Sequence, residues 1–170
     1  RTGSRTRRSD VARLGIHRDF LKDLIRLERP IQQKVVEVIA RFEQTAHAGA
    51  HLEKLTDIRD DRLKSIRIDK KYRGIVLAPE SGDQYTLLRV DTHDEAYDWV
   101  KNRRVSVNMA TGHMEIRDEA VINTTIETMT WDPGRPARRL FDHVSEADLI
   151  RLGIDEQIRR FARMLTESEK

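Results

Sequence analysis

Two stretches of hydrophobic residues at helical spacing lie in the first quarter of the chain. One covers residues 20–27, and the other, with the period i, i+4, i+7, i+8 and i+11, consists of Ile31, Val35, Val38, Ile39 and Phe42. Pro30 lies between them and is favourable in the first turn of a helix, where its missing N–H is not needed. Because the connection is too short for anything but antiparallel neighbours, the pattern predicts an α-helical hairpin.

After this hairpin the pattern changes to the alternation that is typical of β-strands. Ile66 and Ile68 alternate with the charged residues Arg67 and Asp69, so one face of that strand is apolar and the other is charged. The run Gly-Ile-Val-Leu-Ala at 74–78 is apolar on both faces, as in a central strand. Connections of hairpin length join the later strands. The predicted strands cover residues 11–17, 63–69, 72–78 and 84–90.

A helix and a further hairpin are predicted next. Thr92 and Glu95 match the capping box S/T-x-x-E, which predicts a helix from residue 93 to about 103. Residues 105–116 alternate around a Thr-Gly turn and predict an additional β-hairpin. The following segment, 118–142, contains the sequence WDPGRPARR and is predicted to be a linker or an irregular arm.

The last part of the chain is predicted to be helical. Ser145, with Asp148 three residues later, is favourable at the start of a helix, and Gly153 is favourable just after its end. A second helix follows, and Thr166 resembles the cap of a third, so the chain is expected to be a fragment of a longer protein. The predicted division is a disordered basic tail (1–10), a main domain (11–104), a β-hairpin with a linker arm (105–142) and a helical segment (143–170).

The composition fits a highly charged soluble protein. Hydrophobic residues make up 38% of the chain and charged residues 36%. The apolar runs are shorter than the roughly 20 residues of a transmembrane helix. There is no cysteine and no signal-like N-terminal stretch, so the expected location is the cytoplasm. Four arginines in residues 1–8 change the net charge from −1 to +3, so net charge is weak support for nucleic-acid binding.

The element order β-αα-βββ-α resembles that of the RelE/ParE toxin superfamily over residues 12–104. The Tyr72–Arg73 pair and the sequence VDTHDEAYDWVKNRR at 90–104 are the residues that carry this resemblance. A wider resemblance, over residues 73–116 and 145–155, is to the RelE-like N-terminal region found ahead of some bacterial UvrD/Rep-type (superfamily 1) DNA helicases. The resemblance implies an α+β fold, in which a small antiparallel sheet packs against a helical hairpin, with an extra β-hairpin and a helical tail.

The resemblance also implies a chemistry. RelE-type toxins cleave mRNA on the ribosome without a metal, by attack of a 2′-hydroxyl on the neighbouring phosphate. Such a reaction needs cations around the phosphate and groups that accept and donate protons. The candidate catalytic residues are Arg67, Arg73, His93 and Tyr97. The candidate nucleic-acid-binding residues are Lys64, Lys70, Lys71, Arg89, Arg103 and Arg104.

His93 and Tyr97 are the candidates for proton transfer, because the spacing i, i+4 places them on one helix face. A position in the first helical turn favours the neutral, proton-accepting form of His93. Some members of the superfamily use a glutamate base. No glutamate is assigned to that role here, because Glu95 is assigned to the helix cap.

Three functions remain open on this basis. The preferred one is a nucleic-acid- or partner-binding accessory module of a UvrD-type helicase, without an ATPase of its own, because the motif G-x-x-x-x-G-K-[ST] is absent from the chain. The alternatives are a metal-independent mRNA endoribonuclease and a ParE-like toxin that poisons gyrase. The implied partners are RNA or DNA, the ribosome or an antitoxin in the case of a toxin, and helicase domains in the same chain in the case of a module.

Structural roles also fit the candidate residues. The strand cations can form a solvated sheet face, and Arg73 can be half buried and paired with Asp69 or Asp91. His47 and His51 have the spacing of a metal-binding pair on a helix. Without a carboxylate pattern beside them, and with a helix-weakening glycine between them, they predict no metal site, and no cofactor is expected.

Overall fold

The computed structural model describes residues 12–45, 48–108, 110–128 and 139–165, which form two compact units divided between Lys101 and Asn102. The predicted tail at 1–10, His47, Trp131 and the cap at Thr166 lie outside the described residues. The first unit contains β1 (Arg13–Ile16), α1 (Arg18–Arg26), α2 (Arg29–Glu43), a 3₁₀ turn (Ala48–His51), β2 (Glu53–Lys54), β3 (Leu63–Arg67), β4 (Tyr72–Leu77), β5 (Gln84–Thr92) and α3 (His93–Val100). The second contains β6 (Arg103–Val107), β7 (Met114–Asp118), α4 (Glu119–Thr128), α5 (Glu146–Arg151) and α6 (Glu156–Met164).

The first unit has the predicted α+β architecture, built on a five-stranded sheet with the order β1-β5-β4-β3-β2. The strands β2 to β5 pair in antiparallel fashion, but β1 pairs with β5 in parallel. The sheet is therefore mixed rather than purely antiparallel. The parallel pair is possible because the long connection between β1 and β5 includes both helices of the hairpin, whereas a tight turn can join only antiparallel strands.

The helical hairpin forms the core with one face of the sheet. Val35 and Phe42, both in the predicted apolar stripe of α2, are buried, and Phe20 of α1 is buried with them. The ring of Phe42 meets that of Tyr85 edge to face, with centroids 5.2 Å apart. The sheet residues buried in this cluster are Ile66, Val76, Leu87 and Val90. The helical periodicity of the sequence is confirmed by this core.

The opposite face of the sheet carries α3. This helix packs against β4 and β5 and buries Ala96 and Val100. Tyr97 of the same helix contacts Ser65, which alternates with Ile66 along β3 and thus lies on the other face from the hairpin. The sheet is consequently covered by helices on both faces.

The start of α3 differs from the predicted capping box. Thr92 occupies the N-cap position, but its side chain makes no capping hydrogen bond, so the capping role assigned to Thr92 and Glu95 is wrong. The backbone N–H of His93 donates instead to the carbonyl of Lys71, at 2.7 Å. This tertiary contact with the β3–β4 turn satisfies one of the free N–H groups of the first helical turn. The N–H of Thr92, which the Glu95 side chain was expected to bond, donates to Asp91 Oδ1 at 2.8 Å. The helix ends at Val100, earlier than predicted.

The second unit begins with the predicted hairpin, formed by β6 and β7. The prediction of an irregular arm over residues 118–142 is wrong for its first part. Asp118 ends β7, and α4 follows directly over Glu119–Thr128. The sequence VINTTIET lacks a clear apolar stripe, which is why periodicity did not reveal this helix.

Every helix among the residues that the structure describes is too short or too polar to cross a bilayer.

The predicted boundaries of α5 are confirmed. Ser145 Oγ accepts from the backbone N–H of Asp148 at 3.0 Å, which is the N-cap geometry. Gly153 has φ of 76°. The N–H of Gly153 donates to the carbonyl of Ile150, and that of the next residue donates to the carbonyl of Leu149. These are the two bonds of a Schellman motif, in which glycine avoids the strain of the left-handed conformation.

Candidate functional site

Backbone register brings four of the polar residues of the first unit to one face of the sheet. The Cα atoms of Arg67 and Arg73 are partners across β3 and β4, so their side chains start on the same face. Ser65 lies two residues before Arg67 and shares that face. On the other side of β3, Glu53 of β2 is the register partner of Ser65. We call this group, together with His93 and Tyr97 of α3, the sheet-face cluster.

Arg73 is the buried cation of the sheet-face cluster, with a side chain only 10% exposed. Its Nη1 donates to the carbonyls of Asp69 at 2.8 Å and Tyr72 at 3.0 Å. Its Nε lies 3.6 Å from Glu53 Oε2 and, among the described residues, has no hydrogen-bond acceptor. The predicted contact with Asp69 thus uses the backbone carbonyl, and Asp91 pairs with Arg89 instead. Arg73 braces the β3–β4 turn and approaches one carboxylate.

Glu53 is, together with Ser65, a residue of this cluster that sequence reasoning missed. Its Oε2 accepts from Ser65 Oγ at 3.3 Å and lies beside the Arg73 guanidinium, while the side chain stays 45% exposed. The sequence pattern does not reveal Glu53, because a strand of two residues is too short to show an alternating pattern. An acidic residue between two leucines, in HLEKL, is the available signal in the sequence.

Ser65 lies between the Glu53 carboxylate and Tyr97, and His93 stacks on Tyr97. The Tyr97 hydroxyl is 3.4 Å from Ser65 Oγ, at the long end of hydrogen-bonding distance. The rings of His93 and Tyr97 are stacked, with centroids 4.2 Å apart and an angle of 22° between the planes. The predicted sharing of one helix face is confirmed by this stacking. His93 Nδ1 lies 2.9 Å from Asp94 Oδ1, and the ring is about half exposed.

The sheet-face cluster combines an exposed cation, a carboxylate, a hydroxyl and an imidazole. Arg67 at the end of β3 is exposed, whereas its partner Arg73 is buried. This set can bind a phosphate and can both accept and donate protons. No group of three or more His, Asp or Glu side chains suited to a metal ion occurs among the described residues, and His51 is exposed.

The predicted nucleic-acid-binding residues of the first unit have different surroundings. Lys70 and Lys71 are exposed in the β3–β4 turn, and Lys71 Nζ lies 5.6 Å from the centroid of the Tyr72 ring. Lys64 Nζ donates to the carbonyl of Asp61 at 2.5 Å. Arg89 is occupied by intramolecular contacts: its Nη2 lies 2.8 Å from Asp91 Oδ2, and its guanidinium lies 5.6 Å from the ring centroid of Trp99. The two turn lysines are thus the more accessible cations.

Arg103 and Arg104 were expected near the end of α3 but lie in β6 of the second unit. Arg103 Nη1 is 3.1 Å from Asp118 Oδ2, and Arg104 Nη1 is 3.1 Å from Glu119 Oε1. Helix α3 ends before them because residues 103–107, Arg-Arg-Val-Ser-Val, pair with β7. In the structure these arginines support the hairpin of the second unit and are not members of the sheet-face cluster.

Asp69 fixes the turn that holds Arg73. Its Oδ2 accepts from Lys34 Nζ at 2.9 Å, and its Oδ1 accepts from the backbone N–H groups of Lys71 and Tyr72 at 2.8 and 2.9 Å. The hydrogen bond from Lys34, followed by those from the two backbone N–H groups, lowers the pKa of Asp69 to about 2. The carboxylate is therefore ionised at neutral pH and joins α2 to the turn.

Comparison with known proteins finds a weak similarity to two solved structures and no match to a protein family. No protein-family model and no curated protein sequence matches the chain. A solved RelB-RelE antitoxin-toxin complex from Methanococcus jannaschii aligns with a TM-score of 0.40 and 20% identity, over 50% of this chain and 96% of the other. The conserved hypothetical protein HP0894 from Helicobacter pylori aligns with a TM-score of 0.37 and 17% identity, over 49% and 96%. Scores this low do not establish a shared function.

Proposed function

We propose that the first unit is a RelE-like domain that binds RNA at the sheet-face cluster and cleaves it without a metal ion. The observation that carries the proposal is the position of Glu53, whose carboxylate lies beside Arg73 and Ser65 and, through Ser65, next to Tyr97. A carboxylate in this place supplies the proton acceptor that the sequence alone did not identify. For this reason the geometry supports the endoribonuclease better than a binding module without chemistry.

In the proposed reaction the 2′-oxygen forms a bond to the adjacent phosphorus and its proton passes to Glu53. The bond from phosphorus to the 5′-oxygen breaks, and the leaving oxygen takes a proton from the imidazolium form of His93, which is half exposed and stacked on Tyr97. With Glu53 as the proton acceptor, His93 thus has the reverse of the proton-accepting role that its place in the first helical turn predicted. The products are a 2′,3′-cyclic phosphate and a 5′-hydroxyl. Arg67, which is exposed, stabilises the negative charge of the pentavalent phosphate.

Arg73 has a different role in this proposal. Because its guanidinium is buried and bound to two carbonyls, it acts as a positioning residue that holds the Glu53 carboxylate in place. The Ser65 hydroxyl donates to the same carboxylate oxygen, Oε2. The reacting groups are thus Glu53, His93 and Arg67, and they are supported by the pair Arg73 and Ser65.

The proposal is tested by incubating the purified chain with a labelled RNA in the presence of a metal chelator. We expect cleavage with 2′,3′-cyclic phosphate ends, and we expect Glu53→Gln to slow it by a factor of about 10² to 10⁴, the usual contribution of a general base. Glu43→Gln, at an exposed position at the end of α2, is the matched control and should cleave like the wild type. Absence of cleavage in the wild type on any RNA, with or without ribosomes, would contradict the proposal.

The other two functions inferred from the resemblance are distinguished by related measurements. Tight RNA or DNA binding without cleavage would favour the accessory module of a helicase, which remains a prediction from the sequence. Inhibition of gyrase by the purified chain would favour the ParE-like activity. An antitoxin, the ribosome and helicase domains in the same chain are likewise predicted partners that depend on which of these functions is found.

A further inference from the structure

A groove of about 510 Å³ lies between α2 and the end of β3 in the first unit. Its floor is apolar and includes Val38 of α2 with Ile66 and Ile68 of the β3 segment. A volume of this size falls in the range of pockets that hold a small molecule or one nucleotide unit, about 300–1,000 Å³. The groove is separate from the contacts among Glu53, Ser65 and Tyr97 described above.

The rim of the groove is basic. Lys34, Arg41, Arg67 and Lys70 line it, against the acids Glu37 and Asp69. The carboxylate of Asp69 is already bound by Lys34 and by two backbone N–H groups. Arg41 and Lys70 are exposed. Exposed cations around an apolar floor match the two chemical features of a nucleotide, an anionic phosphate and a base with an apolar face.

Arg67 connects this groove to the sheet-face cluster. It lines the groove, and its Cα is the register partner of Arg73 across β3 and β4. The groove floor with Ile66 lies on the hairpin face of the sheet, the cluster lies on the other face, and Arg67 at the end of β3 belongs to both. An RNA strand whose reacting phosphate contacts Arg67 can therefore continue around the end of β3 into the groove. This continuity favours RNA over an acidic peptide as the occupant, because a peptide would not need to contact a residue of the reaction site.

We propose that the groove between α2 and β3 is a binding subsite for a nucleotide that flanks the reacting phosphate, with its base on the apolar floor and its phosphate near Arg41 and Lys70. The inference rests on the proposed RNA-cleaving function. It adds that the domain recognises single-stranded RNA longer than the two nucleotides that react. It also assigns a role to Arg41, a residue without a predicted function.

Binding is measured with the full chain and a fluorescent RNA octamer that carries 2′-O-methyl groups and therefore cannot be cleaved. We expect Arg41→Ala and Lys70→Ala each to weaken binding about fivefold, and each to reduce the slope of log K against log salt by about 0.7, the value for one phosphate contact on a single strand. Arg29→Ala is the matched control, an exposed arginine at the other end of the same helix. A photoreactive 4-thiouridine in the octamer should cross-link to residues of α2 or to residues 66–70.

The outcomes separate this inference from the proposed function. If Arg41→Ala weakens octamer binding and the cross-link falls in the groove, the subsite stands even when no cleavable RNA is cut. If the chain cleaves RNA but Arg41→Ala changes neither octamer binding nor KM, the inference is wrong and the proposed function stands. The third outcome concerns an amphipathic peptide with an acidic face. If Arg41→Ala no longer binds this peptide but binds RNA like the wild type, the groove is a peptide-docking surface and the inference is wrong.

Discussion

Arg67 and Arg73 are register partners across β3 and β4, but they differ in burial and therefore in role. The Arg73 guanidinium is buried and bound to the carbonyls of Asp69 and Tyr72. A buried cation with these contacts is part of the structure, because its removal leaves polar groups without partners. Arg67 is exposed at the end of β3 and can contact a ligand at little cost. A functional test that replaces only Arg73 would therefore confuse loss of activity with loss of folding.

We predict that Arg73→Ala lowers the free energy of unfolding by about 1–3 kcal/mol, the usual cost of leaving buried polar groups unpaired. Arg67→Ala should change it by no more than about 0.5 kcal/mol, as for other surface substitutions. Urea unfolding followed by circular dichroism measures both values. RNA cleavage should fall in Arg67→Ala while stability is retained. Equal stability of the two variants would contradict the positioning role of Arg73.

At the scale of elements, the β3–β4 hairpin supplies Ser65, Arg67 and Arg73 and joins the other parts of the site. Its turn contains Asp69, Lys70 and Lys71, and the backbone carbonyl of Lys71 also receives the first N–H of α3. Asp69 accepts two backbone N–H groups within the turn and the Lys34 ammonium from α2. The Asp69 carboxylate thus holds the β3–β4 turn in place. The carbonyls of this turn bind the Arg73 guanidinium and the N–H of His93 at the start of α3.

We predict a pH dependence of stability that comes from Asp69. Its pKa in the folded state is lowered from 3.8 to about 2, so the unfolded chain binds the proton more readily than the folded chain does. The stabilisation is present above pH 3.8 and is lost as the pH falls towards about 2. In urea titrations across this window, Asp69→Asn should remove part of the fall in stability that the wild type shows.

The control for this measurement is Asp57→Asn. Asp57 is exposed and has φ of 55°, a left-handed conformation that asparagine also tolerates. We expect this variant to keep the pH dependence of the wild type. An unchanged pH dependence in Asp69→Asn would mean that the contacts of Asp69 contribute little to folding.

At the scale of the whole molecule, each of the two units has buried residues of its own. The core of the first unit consists of residues between Ala12 and Val90, with α3 adding Ala96 and Val100. The second unit buries Val105, Leu149 and Ala162. All members of the sheet-face cluster lie before residue 102. The proposed reaction therefore needs only the first unit.

We predict that a fragment of residues 1–101 folds alone and retains RNA cleavage. Its unfolding by urea should be a single cooperative transition. A fragment of residues 1–92 is the control, because it lacks α3 and with it the buried side chains of Ala96 and Val100 as well as His93 and Tyr97. It should be inactive and less stable. A non-cooperative transition in residues 1–101 would show that the first unit depends on the second.

The helices and the central strands of the first unit were predictable because their signals are local. The apolar stripe of α2 fixes which side chains it buries, and the alternation around Ile66 fixes the faces of β3. The spacing of His93 and Tyr97 likewise places them on one face of α3, where their rings stack. Such patterns follow from the periods of helix and strand and need no knowledge of the rest of the fold. Helix α4 was not predicted, because its sequence has no clear apolar stripe.

The sequence by itself thus determined the α+β class, the order of the main elements and the presence of Arg67, His93 and Tyr97 as candidate residues. Only the tertiary structure decided that Glu53 joins them, that Arg73 is buried, and that Arg103 and Arg104 belong to another unit. The physical reason is that strand pairing brings together residues distant in sequence: Glu53 reaches Arg73 across β3, in a register that no local pattern records.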